Sequence, residues 1–228
     1  EVRAYPHEKV GAGFAGKQKT LITSKDDSYF RPDDICTAPD GSLYIADWYD
    51  GGVGGHAYNN PDQGRIFRLT PQGTKLERIG KAGPYASVAE AIEGLKSPNL
   101  ATQFLAREKL LAEGEAAVTA LIELTKGATD PNHAARAYWV LDRIGGAARE
   151  EVVEQLASGD PSTQALAVRI LRRHQDDAKI AAALTKLAND TNLAPETWRE
   201  LSLFEAKRTG PEADAALVKL AVQSPKND

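Results

Sequence analysis

The pattern of apolar and polar positions changes its period near Ser87. Before that point short runs alternate with period two, Leu43 and Ile45 on one side and Tyr44 and Ala46 on the other. The alternation predicts strands at Thr20–Thr23, Asp34–Ala38, Ser42–Asp47, Arg65–Leu69 and Leu76–Ile79, with a Pro39-Asp40-Gly41 turn between the second and third. Four or five short strands joined by turns describe an antiparallel meander, the size of one propeller blade. Alone, such a sheet leaves its edges and a broad apolar face uncovered. Either the helical part of the chain covers it, or neighbouring blades do. Residues 1–20 carry little periodicity.

From Ser87 onward the period is 3.6, and an internal repeat emerges. Pro98, Pro131, Pro161 and Pro195 recur at helix-pair spacing, each predicted at the first position of a helix, where its missing N–H costs nothing. Ser97, Asp130 and Asp160 precede three of them as expected N-caps; Ala194, before the fourth, is a poor cap. Aligned from the proline, Ala137 and Ala167, Val140 and Ile170, and Leu141 and Leu171 fall in register. Second helices are expected at Glu115–Thr125, Arg149–Ala157, Asp177–Ala188 and Glu212–Val222, and a short capping helix at Ser87–Leu95. Helix pairs of this period predict an α-solenoid. The Asp-Pro start with a central alanine and paired aliphatics resembles short HEAT repeats over residues 97–223. The expected fold is therefore α+β, mainly α: a blade-like β segment over residues 1–82, then HEAT-like helical repeats over 83–228.

Composition narrows the function classes. A hydrophobic share of 42% and a charged share of 26% fit a globular protein, and a net charge of −4 argues against nucleic acid as a partner. No apolar run approaches the length that spans a bilayer. The chain opens on Glu1 and contains no Met, which leads to the expectation of a processed chain or a piece of a longer one. The single cysteine, Cys36, excludes an internal disulfide, a CxxCH haem site and a zinc ribbon; its place in a strand predicts a buried, inert thiol.

Polar groups that could carry chemistry concentrate in the Gly-rich stretch from Asp47 to Gly64. Asp47 and Asp50 are hard oxygen donors suited to a metal such as Ca²⁺, or else turn-capping carboxylates. His56 is a candidate general base or ligand, or a loop histidine. Trp48 and Tyr49 would stack on a flat substrate or cofactor, or else pack between blades or on the solenoid. Arg31 would bind a carboxylate, or pair with Asp33 or Asp34. Gly11 to Gly16 match G-x-G-x-x-G by letter, but a strand-like run follows them where a helix is needed, so a plain glycine turn is expected. Arg169, Arg172, Arg173 and His174 form a basic cluster followed by Asp176 and Asp177, which reads as a solvated ridge compensated by its own neighbours. No GxSxG, HExxH, Walker A or CxxC motif occurs.

The phrase FRPDDICTAPDGSLYIADWYDGGVGGH, with GRIFRLTP after it, resembles the last propeller blade of the membrane-bound dehydrogenase-like proteins of planctomycetes and verrucomicrobia. Those propellers are similar to PQQ-dependent sugar dehydrogenases, and HEAT-like repeats, often with a c-type cytochrome domain, follow the blade. The matching positions are Arg31, Asp33, Asp47, Trp48, Tyr49, Asp50, Gly55, His56, Gly64 and Arg65. The resemblance implies a C-terminal portion of a periplasmic or extracellular protein that oxidises a sugar or alcohol by hydride transfer to a quinone such as PQQ, with Ca²⁺ as Lewis acid. In that setting His56 would be catalytic, Arg31, Trp48 and Tyr49 would face the cofactor, and Asp47 and Asp50 would hold the metal. The partners implied are the remaining propeller blades, in the same protein or as a separate chain, and a cytochrome domain. By itself the portion is expected to be inactive. The alternative expectation is a non-enzymatic scaffold whose helical repeats bind a protein or polysaccharide.

Overall fold

The computed structural model describes residues 1–11, 13–50, 61–73, 76 and 83–223. The chain is α+β and mostly helical. Its strands are β1 (Val2–Ala4), β2 (His7–Val10), β3 (Gly13–Gly16), β4 (Lys19–Ile22), β5 (Pro32–Thr37), β6 (Leu43–Asp47) and β7 (Arg65–Leu69). Its helices are α1 (Val88–Lys96), α2 (Leu100–Glu113), α3 (Glu115–Gly127), α4 (Pro131–Ile144), α5 (Gly146–Glu154), α6 (Pro161–Leu171), α7 (Ala178–Leu187), α8 (Pro195–Glu205) and α9 (Pro211–Gln223). Two compact units divide the chain: Glu1–Glu8 with Ala15–Lys109, and Lys9–Phe14 with Leu110–Asp228. The composition boundary at 82/83 falls inside the first of them.

In the first unit β1 pairs with β4, and β5, β6 and β7 form an antiparallel sheet in that order. Strands β1, β2 and β3 occupy the segment where periodicity predicts nothing, because runs of three or four residues are too short to display alternation. Gly11 turns the chain with a φ of 55° between β2 and β3, and β4 rather than a helix follows, which removes the setting a dinucleotide fingerprint requires. The expected strand at Leu76–Ile79 lies almost wholly outside the described residues. The β5–β6 turn closes at Gly41 (φ 84°), and Asp40 secures it by accepting from the Ser42 N–H at 2.9 Å and the Ser42 hydroxyl at 2.6 Å. Ile45 is the best-buried strand residue and packs with Val2, Phe30 and Ile22.

Ser87 caps α1 by accepting from the Glu90 N–H, and the Glu90 carboxylate reaches back to the Ala86 N–H at 2.9 Å. Gly94 stands inside this helix because the Tyr85 ring lies against it; a Cβ there would come 2.3 Å from the tyrosine oxygen. The next helix starts later than its proline predicts. Ser97 ends α1, and Asn99 is the residue that caps α2: its Oδ1 accepts from the Thr102 N–H at 3.0 Å. Its Nδ2 donates to the Ala38 carbonyl at 2.6 Å, which ties the start of α2 to the β5–β6 turn.

In the second unit the proline positions hold. Asp130 and Asp160 cap α4 and α6, whereas Ala194 at the start of α8 makes no side-chain cap bond. Helix α4 packs on α6 and α6 on α8. Ala137, Ala167, Val140, Ile170, Leu141 and Leu171 are all buried, as their register predicts. The basic cluster departs from expectation. Arg169 and Arg172 reach across to α8, where Glu200, almost fully buried, accepts from the Nε of each at 3.1 Å, and Arg199 adds a third contact at 3.0 Å. His174 Nε2 lies 2.7 Å from the buried Asp142, which also accepts from Arg149 Nε at 2.9 Å. Arg173 sits over the Trp139 ring at 5.4 Å. The compensating acids therefore come from neighbouring helices, not from the adjacent Asp176 and Asp177.

Burial pushes the Glu200 carboxyl up, but hydrogen bonds from Arg169 and Arg199 and the charges of Arg169 and Arg172 outweigh it, so its pKa lies below the usual 4.5. A depressed carboxyl contributes stability above its unfolded pKa and loses it as pH falls through the folded one. Glu200→Gln should cost about 3 kcal/mol at neutral pH, since it leaves clustered guanidinium groups uncompensated. In urea titrations the gap to the wild type should shrink progressively below pH 4.5. A gap independent of pH would contradict this account.

Candidate functional site

The polar corner at the end of β6 is assembled by strand register. Asp47 stands opposite Pro32 on β5 and opposite Arg65 on β7, and the Trp48 N–H donates to the Arg31 carbonyl at 3.0 Å just beyond the strand ends. Period-two alternation turns the Asp47 side chain to the same side as Ile45, where water is excluded and only 3% of the residue is exposed. Its Oδ1 accepts from the Arg31 N–H at 2.7 Å and the Tyr49 N–H at 3.2 Å. Its Oδ2 accepts from Arg65 Nε at 2.8 Å and from Arg65 Nη2. One carboxylate thus joins the entry to β5, the exit from β6 and the start of β7.

Arg65 is shared. Its Nη2 also lies 2.8 Å from Asp27 Oδ2, and its guanidinium sits 4.3 Å from the centre of the Tyr49 ring and 5.1 Å from that of Phe67. Tyr29 stacks on Tyr49 with centroids 5.3 Å apart and planes at 22°. Burial works against the charge on Arg65, but Asp27 and Asp47 more than offset it and raise its pKa. The hydrogen bond from Arg65 holds the Asp27 carboxyl below its ordinary range. Tyr49 has a φ of 52°, left-handed for a bulky residue.

The sequence-selected residues divide sharply. Asp47, Tyr49 and the backbone of Arg31 meet at this corner, and Asp50 is buried beside it in the chain. The Arg31 guanidinium donates to the Ser28 and Phe30 carbonyls at 2.7 and 3.2 Å. Trp48 faces outward, 57% exposed, neither stacked in a core nor enclosed. His56 lies outside the described residues, as do all the positions from 51 to 60. Asp27 and Tyr29 escaped the sequence reading because they sit in an aperiodic segment with no motif; only the pairing of Asp47 with Arg65 draws them in. Cys36, expected buried, is exposed, because the sheet face that carries it has no cover among the described residues.

The described residues do not fit a calcium site. A carboxylate offers about four lone-pair positions, and four N–H donors already occupy those of Asp47. Among the described residues, no group of three or more His, Cys, Asp and Glu side chains is placed to hold a metal. The corner is built to fix chain geometry, with an aromatic pair and an arginine stacked at its surface.

Residues 3–79 match a family model described as a domain of unknown function, DUF7133. The matched span begins within β1, takes in β2 to β7 and ends before α1. No curated protein and no solved structure matches the chain.

Asp47→Ala should destabilise the first unit by about 1–3 kcal/mol, since it leaves the Arg31 and Tyr49 N–H groups without their acceptor while Arg65 keeps Asp27. Asp47→Asn, which keeps an acceptor for the amides, should recover part of that loss. Thermal unfolding followed by tyrosine circular dichroism measures both, and added Ca²⁺ should leave the wild-type Tm where it was. Wild-type stability in Asp47→Ala would show that the corner is held by something else.

Proposed function

We propose that the β segment is the closing blade of a β-propeller in a dehydrogenase-like protein, and that the helices form a HEAT-like solenoid attached to it. The carrying observation is the two-faced character of the β5–β6–β7 sheet. Strand register puts Ile35, Ile45, Phe67 and Leu69 on one face and Cys36, Tyr44, Ala46 and Ile66 on the other. Of those four on the first face Ile45 alone is fully covered, and a cavity of about 400 Å³ opens between it, Phe30 and Phe67. On the second, Ile66 is 75% exposed and Tyr44 and Cys36 are open as well. A sheet with apolar residues on both faces belongs between two other layers. In a propeller those layers are the adjacent blades, in keeping with the resemblance carried by residues 30–71. The stacking of α4, α6 and α8 supports the solenoid.

On this reading the parent protein is a periplasmic or extracellular oxidoreductase that transfers a hydride from a sugar or alcohol to a quinone such as PQQ. The blade contributes structure, and no quinone or Ca²⁺ step is assigned to its residues. Among the described residues, no helix is long and apolar enough to cross a membrane.

Cys36 provides the test, being the sole thiol in the chain and on the open face. A thiol reagent should label it rapidly in the isolated chain and about tenfold or more slowly in the source protein, where other blades cover it. Equal labelling rates would sink the blade assignment. Independently, the isolated chain supplied with PQQ, Ca²⁺, sugars and a dye acceptor should reduce no dye; clear reduction would place a complete site within these residues.

A further inference from the structure

We draw no further inference here: the strongest candidate, the cavity of about 400 Å³ lined by Ile22, Phe30, Ile45 and Phe67 in the first unit, lies on the sheet face that the blade reading already uses, and nothing in the structure shows what covers it.

Discussion

A carboxylate removed from water must be met by positive charge or hydrogen-bond donors, or it will not stay ionised where it is. This chain uses that constraint repeatedly. Asp47 is met by Arg65 from the neighbouring strand and by two backbone amides; Asp142 by Arg149 from the next helix; Glu200 by Arg169 of α6 and Arg172 just after it. Glu205 is fully buried and accepts from Arg208, which also donates to Thr185 near the end of α7. In most of these cases the acid sits on one element and an arginine arrives from another. Apolar burial alone would allow elements to slide, since it is non-directional. A buried acid with a fixed fork of donors specifies which turn of one helix faces which turn of the next.

Much of the second unit could be read in advance. Proline at the first helical position, an aspartate before it and a recurrent Ala-aliphatic pattern are local signals, and α4, α6 and α8 begin where those signals place them. The start of α2 is not legible locally: Asn99 rather than Ser97 caps it, and Asn99 is also held by a contact 61 residues away at Ala38. The basic cluster was misjudged for the same kind of reason. Arg169 and Arg172 have acids close by in sequence, yet their partner is Glu200 on α8, at a separation no local pattern encodes. In the first unit the central sheet was legible from alternation, whereas β1 to β3 were too short to show any. At the candidate site, Asp47 could be chosen by residue type and position, but its role could not. Whether a carboxylate holds a metal or a chain crossing depends on which donors surround it, and Arg31, Tyr49 and Arg65 become its neighbours only after the strands pair.

The two units have unlike surfaces. The described residues leave Cys36, Tyr44 and Ile66 of the β5–β6–β7 sheet exposed, while the helical unit buries Ala137, Val140, Leu141, Ala167, Ile170 and Leu171. The corner at Asp47 ties the ends of β5, β6 and β7 together.

Tyr49 adopts a backbone conformation that glycine would enter freely and that costs a bulky residue about 1–3 kcal/mol. The chain places a tyrosine there all the same, with its ring between Tyr29 and the Arg65 guanidinium. Local backbone comfort has been given up for a side-chain stack, and the direction in which the chain leaves β6 is therefore governed by an aromatic ring. A glycine put there to relax the backbone would free that departure angle, and the crossing would become easier to form but harder to aim.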